Sequence, residues 1–181
     1  MLLKKGTSVN AKDSQGRRAG VIERLARKDV EAAVTLFQHG LSMEIPPGSM
    51  SRDDIRQELL KTVCLVHKTR KVLDGIVNFR FNKSRNVKLM FVCSSRPGRS
   101  IGTGLLRSVA ELGARNHAKW IYSGVSSEDD RAMGFYHDLG FRPYKKAGRF
   151  GYYIRAKPNE VISNARRWRS VPVKPRGAGG T

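Results

Sequence analysis

Apolar and polar positions along this chain fall into short β-type runs and helical periodicities that follow one another in a mixed order. Val21, Ile22 and Leu25 predict a first strand over 21–25. The recurrence Val30, Ala33, Val34, Phe37 and Leu41 has the three- and four-residue spacing of one helical face, with Asp29 placed to cap it. Pro46-Pro47-Gly48 then breaks the chain, and Ser51 predicts the N-cap of a short second helix with Ile55, Leu59 and Leu60 apolar. Runs rich in β-formers at 63–67 and 75–81, joined by a polar connection ending in Asp74-Gly75, predict an antiparallel hairpin.

A third β-rich run over 87–93 follows the polar stretch 82–86. It leads through a segment of Gly, Ser and Arg into a helix with Leu105, Leu106, Val109, Leu112 and Gly113 inward. A strand over 120–125, a helix over 129–139 and a closing hairpin over 141–155 complete the pattern, which is that of an α/β domain over 21–157. Outside it the periodicity is lost. Residues 1–20 set Lys4, Lys5, Lys12, Arg17 and Arg18 among Gly, Ser and Asn, and read as a flexible basic arm. Residues 158–181 carry Arg166-Arg167-Trp168-Arg169 ahead of Pro172, Pro175 and a Gly-rich end, and read as a second, basic Pro/Gly-rich tail.

Charge changes this picture most. With 35 Lys+Arg against 15 Asp+Glu, the formal charge of +20 attracts polyanions at long range. A polyphosphate cofactor needs only a few of those cations, so a nucleic-acid or ribonucleoprotein partner, engaged through the basic tails, is expected for the rest. The 181 residues suit one domain with arms. Cys64 and Cys93, each among apolar neighbours, read as buried reduced thiols rather than a disulfide or metal site, and no metal is expected. No apolar run approaches the roughly 20 residues of a membrane span, and Met1-Leu2-Leu3 is too short for a signal sequence. The basic start resembles a transit peptide faintly, but Asp13 and the lack of periodicity oppose that reading. A soluble, cytoplasmic protein without membrane contact is expected.

The segment most informative about chemistry is Arg99-Ser100-Ile101-Gly102-Thr103-Gly104-Leu105-Leu106, between an apolar strand and an amphipathic helix. Glycines admit close approach of the backbone, and successive amides at a helix start point their N–H groups at an anion. No Lys-Ser/Thr follows as in a P-loop, and the dinucleotide G-x-G-x-x-G is incomplete, so a phosphate site of another type fits better. Arg99, Gly102 and Gly104 match the Arg/Gln-x-x-Gly-x-Gly/Ala coenzyme A loop of the GNAT N-acetyltransferase family. Downstream, the stretch Ala132-Met133-Gly134-Phe135-Tyr136-His137-Asp138-Leu139-Gly140-Phe141 resembles that family's Ala-x-x-x-Tyr-x-x-x-Gly-Phe. The resemblance covers roughly 21–155 and leaves both tails unexplained.

This resemblance implies an acetyl-CoA-dependent N-acetyltransferase, built on a mostly antiparallel twisted sheet whose fourth and fifth strands run parallel and splay. It implies a pyrophosphate on Ser100, Ile101, Gly102, Thr103 and Gly104 beside Arg99, and a pantetheine arm along Leu89, Phe91, Val92 and Cys93. Asp129 falls near the cofactor where the family often has Asn, and Tyr136 falls where many members place the phenol that protonates the departing thiolate. An amide near Phe91 or Val92 is the implied oxyanion donor. The strand 87–93 carries no carboxylate to serve as base for the amine; His67, His117, His137 and Glu44 are the other candidates. The acceptor amine is unassigned, a nucleic-acid- or ribosome-associated substrate is one option, and a homodimer stays open. A catalytically weak or inactive GNAT-fold protein that binds nucleic acid is the alternative.

Overall fold

The computed structural model describes residues 20–41, 50–96, 100–148 and 151–170. Arg99, Glu44 and the arms over 1–19 and 171–181 lie outside the described residues. The elements run β1 (Val21–Arg24), α1 (Val30–Leu41), α2 (Arg52–Lys61), β2 (Val63–Thr69), β3 (Val72–Phe81), β4 (Val87–Ser94) and α3 (Ile101–Arg115). They continue with β5 (Ile121–Ser126), α4 (Asp130–Asp138), β6 (Arg142–Lys146), β7 (Gly151–Ala156) and α5 (Pro158–Ser170). The strands form one seven-stranded sheet in the order β1-β2-β3-β4-β5-β7-β6. Every neighbouring pair is antiparallel except β4 and β5, which are parallel.

Two apolar layers sandwich this sheet. On one face Leu105, Leu106 and Val109 of α3 pack with Phe79, Leu89, Ile121, Phe141 and Ile154, joined by Tyr136 and Leu139 from the α4 region. On the other, Val34 and Phe37 of α1 and Ile55 and Leu59 of α2 cover Val66, Ile76 and Phe91. Ser51 caps α2 in a reciprocal box with Asp54: the Asp54 amide donates to Ser51 Oγ at 3.1 Å and the Ser51 amide donates to Asp54 Oδ2 at 3.1 Å.

Four expectations change. Leu60 is 55% exposed, because Ile55 and Leu59 already span the buried stripe of α2 and the next residue turns about 100° away from it. Asp29 ends a short 3₁₀ turn over Arg27–Asp29, and its carboxylate accepts from Lys68 Nζ at 2.7 Å. The β2–β3 turn lies at Arg70 and Lys71, both left-handed with φ of 50° and 70°, rather than at Asp74-Gly75. Those two residues belong to β3, where a bulge opposite His67 and Lys68 absorbs Asp74. Lastly, the chain from 158 begins as a helix rather than an arm: Val161 and Ala165 of α5 are buried in the α3 layer, one turn apart. The Lys157 amide donates to Glu160 Oε2 at 3.2 Å, closing its first turn. The basic composition of this stretch masks its two-residue apolar stripe.

Candidate active site

The start of α3 is built to meet an anion. Ser100 at its N-cap is left-handed, with φ of 57°, and makes no side-chain cap, while Gly104 N–H donates to Ser100 O at 2.9 Å as the first helical bond. The amides of Ile101, Gly102 and Thr103 are therefore left without an intrahelical acceptor. The first turn has no acidic residue to neutralise them. A Cβ on Gly102 would meet Phe135 Cζ at 3.2 Å, a tight contact with α4, and one on Gly104 would meet Ile22 Cδ1 at 3.4 Å, an ordinary contact with β1. Gly102 thus lets the helix end seat closely against α4.

Beside this helix end the sheet divides. β4 and β5 pair only at Val87 with Ile121 and at Lys88 with Tyr122. Beyond that, the facing edges of β4 from Leu89 and of β5 from Ser123 have no partner in each other, and the gap opens toward their C-terminal ends, which lead to α3 and α4. The cause is local: Asn78 pairs with Phe91 and Phe79 with Leu89, so Met90 is an extra residue in β4, and such a bulge bends its strand. Around the bulge Leu89 turns to the α3 layer and Phe91 to the other, where its ring lies 4.0 Å from that of Phe37. Cys93 Sγ donates to Leu36 O at 3.5 Å on that same side.

Several known structures share this fold. PaiA N-acetyltransferase from Thermoplasma acidophilum, in complex with coenzyme A, aligns with a TM-score of 0.67 over 77% of this chain and 99% of its own, at 13% identity. An acetyltransferase of the GNAT family from Streptococcus pneumoniae aligns at 0.62 over 76% and 98%, with 16% identity. A ribosomal-protein-alanine N-acetyltransferase from Brucella melitensis aligns at 0.63 over 76% and 99%, with 15% identity. The chain has the GNAT acetyltransferase fold. No protein-family model matches its sequence.

Within that GNAT fold, Tyr136 comes from α4 to the fork. Its side chain is buried between Phe135 and Phe141, with ring centroids 5.4 and 5.1 Å away, and its Oη accepts from Ser123 Oγ at 3.4 Å. Ser123 is the first β5 residue past the last pair with β4. Asp129 caps α4, its Oδ1 accepting from the Ala132 amide at 2.8 Å, and so sets the angle at which Tyr136 enters.

The histidines lie elsewhere. His117 is exposed at the end of α3 with φ of 59°, and the side chain of His137 is 65% exposed. His67 is enclosed: its Nδ1 is 2.5 Å from Oδ1 of buried Asp74, and a Cβ on Gly20 would fall on its ring. By register His67 sits opposite Gly75, which sits opposite Ser94, so it is two strands over and about 10 Å along from Phe91. Asp74 also ties down the loop that enters α3, because the Ser95 amide donates to Asp74 O at 3.0 Å. Cys64, buried with its Sγ donating to Leu59 O, is a thiol whose pKa burial pushes up.

Two residues escape sequence reasoning. Gly75 forms the floor beneath Ile101, with a hypothetical Cβ 2.3 Å from Ile101 Cγ2. Asn78 is 0% exposed, and neither its Oδ1 nor its Nδ2 has a hydrogen-bond partner among the described residues. It lies opposite Phe91 at the bulge. A polar residue inside the strand run 75–81 could have raised the question; its burial could not be read.

Proposed function

We propose that this protein is an acetyl-CoA-dependent N-acetyltransferase. The observation that carries this reading is the juxtaposition of three uncapped amides at the start of α3 with the open end of the β4–β5 fork. These residues fit a pyrophosphate-bearing thioester: the amides of Ile101, Gly102 and Thr103 and the left-handed Ser100 would hold the diphosphate, assisted by Arg99, while the expected Gly104 amide is already given to Ser100 O. The unpaired edge of β4, from Leu89 through Phe91, Val92 and Cys93, would run beside the pantetheine arm and offer it backbone partners. Acetyl-CoA bound there supplies an activated acyl group.

The side chains then divide the work. Tyr136 holds a proton on Oη at the fork and releases it to the departing sulfur, with Ser123 orienting the phenol. A β4 amide at Phe91 or Val92, next to the bulge at Met90, would donate to the carbonyl oxygen as charge develops on it. Asp129 fixes α4 and with it the reach of Tyr136. In this reading the amine loses its proton to water at the fork, His67, His117 and His137 lying elsewhere. The charge of +20 supports an acceptor carried on nucleic acid or the ribosome, with the terminal arms holding that partner; the likeness to an enzyme named for a ribosomal protein is consistent with it.

The test is calorimetry of acetyl-CoA binding at low and high salt, for wild type and Ser100→Asp. Aspartate tolerates the left-handed conformation and suits a helix N-cap, so the fold is kept while the diphosphate is repelled. Wild-type binding that persists in salt and falls about tenfold or more in the variant supports the reading. Binding that is absent, or equal in the two proteins, overturns it.

A further inference from the structure

The sheet carries a second surface that acyl transfer does not use. Along β5 and β7 the buried Ile121, Ser123, Ile154 and Ala156 alternate with Tyr122, Tyr153 and Arg155, which point to the opposite face. Helices α1 and α2 pack over β2, β3 and β4, and leave this end of that face open. There Tyr144 and Tyr153 are 43% and 42% exposed. Tyr144 reaches the face because β6 has a bulge between Pro143 and Lys145. Its ring lies 5.6 Å from that of Tyr122 and 6.4 Å from that of Tyr153. The Arg155 guanidinium is held 4.2 Å from the Trp120 ring centroid and 4.9 Å from that of Tyr144. Opposite Tyr153, a Cβ on Gly124 would meet nothing within 4 Å, so the floor there is flat.

Cations dominate this face. β6 is exposed throughout: Arg142 lies opposite Arg155 and Lys145 opposite Tyr153, whereas Lys146 lies opposite Tyr152 and so on the α3 side. Arg142 Nη1 donates to His137 O and Phe141 O at 3.0 and 2.9 Å. Among the described residues no carboxylate pairs with Arg142, Lys145 or Arg155. Between Trp120, Tyr144 and Arg155 lies a cleft of about 330 Å³ whose one acidic lining residue, Glu160, is engaged by the Lys157 amide. An acidic polypeptide would be served by the cations and would have no use for exposed rings. A duplex hides its base faces. Flat aromatic faces interleaved with cations match unstacked bases joined by phosphates.

We propose that this face of β5, β7 and β6 binds single-stranded nucleic acid, with Tyr144 and Tyr153 stacking on bases and Arg142, Lys145 and Arg155 meeting phosphates. The site is on the folded domain, separate from the arms, and needs no acetyl-CoA, so its test stands apart from that of the acyl-transfer reading.

The experiment measures fluorescence anisotropy of a labelled single strand of ~12 nucleotides, as RNA and as DNA, with the full chain over a salt series. Tyr144→Leu/Tyr153→Leu is expected to weaken binding about tenfold or more at unchanged salt dependence, since each lost stack is worth ~1–3 kcal/mol. Tyr144→Phe/Tyr153→Phe, which keeps the rings, is expected to bind as wild type. Lys145→Gln is expected to flatten the log–log salt slope by about 0.7, the value of one phosphate contact, and Lys146→Gln, on the α3 side, to change it less. Unequal losses for RNA and DNA would identify the natural strand, and equal losses the shared base-and-phosphate chemistry; both support the site. Equal affinity of the leucine variant and wild type overturns it, as does poly-glutamate competing as well as an unlabelled strand. Photocrosslinking of the wild-type chain to a bromouridine strand gives an answer that requires no variant to fold. Adducts within 142–146 or 151–155 support the site, and adducts confined to the arms overturn it.

Discussion

Gly75 of β3 lies directly beneath Ile101 of α3, so close that a β-carbon would stand 2.3 Å from Ile101 Cγ2 and 3.1 Å from Leu105 Cδ1. The seat of the α3 helix end, proposed above to hold the diphosphate, is thus set by an atom that glycine lacks. Gly75→Ala must push α3 off the sheet or distort β3, at a cost of about 1–3 kcal/mol. The melting temperature is expected to fall by roughly 2–4 °C for each kcal/mol. Acetyl-CoA affinity measured well below the melting temperature should fall too, because the helix start itself has moved. Calorimetry alongside thermal melting checks both, and an unchanged affinity would refute the link between floor and site.

Tyr136→Phe removes the phenolic proton while keeping the ring between Phe135 and Phe141. Thiol release in the presence of an amine panel is expected to slow by roughly 10²-fold or more, with acetyl-CoA affinity unchanged. Ser123→Ala should have a smaller effect in the same direction, since it orients the hydroxyl from 3.4 Å without supplying a proton. A phenylalanine variant that turns over at the wild-type rate would leave Tyr136 as a core aromatic only.

Much of this architecture could be read from apolar spacing. The stripe Val30, Ala33, Val34 and Phe37, the cap at Ser51, and the strand–loop–helix passage through Gly102 and Gly104 carry local signals that tertiary packing does not override. What could not be read depends on contacts distant in sequence. Asp74-Gly75 has turn composition, yet Asp74 is drawn into β3 by His67 and Ser95, and Gly75 by Ile101. The Arg70-Lys71 turn lacks the Gly or Asn that usually marks left-handed residues. The bulge at Met90 leaves no mark in composition, although it opens the fork. In the C-terminal segment, the arginines of α5 outweigh Val161 and Ala165 in any count of residue types.

Asn78 is an orphan in an apolar layer, and a buried amide without partners costs about 1–3 kcal/mol. Asn78→Leu, which keeps the branched shape and removes the polar atoms, is therefore expected to raise the melting temperature by several degrees in differential scanning calorimetry. A lower melting temperature would mean that the amide is satisfied in solution.

The contact between α1 and α2 is sensitive to acid. Arg56 Nε donates to Glu31 Oε1 at 2.7 Å and Arg52 Nη2 to Glu31 Oε2 at 3.3 Å. The Arg56 hydrogen bond, then that of Arg52, holds the Glu31 carboxyl below its ordinary value of 4.5. A carboxylate whose folded pKa is depressed adds stability above its unfolded pKa and loses it as pH falls through the folded value. The melting-temperature difference between wild type and Glu31→Gln should thus be present at neutral pH, begin to shrink below about 4.5 and vanish in stronger acid. The pair is exposed, so the difference should be small and should decline with added salt. A difference that persists at low pH would assign it to packing.

β6 is also the last strand of the sheet, and its outer edge has no neighbour. A second molecule adding there would meet Pro143, which has no amide to donate, a bulge at Tyr144 that breaks the register, and Lys145 and Lys146 facing their own copies. Edge-to-edge growth at β6 is opposed by backbone, shape and charge together, so a symmetric pair of these molecules is steered to some other surface.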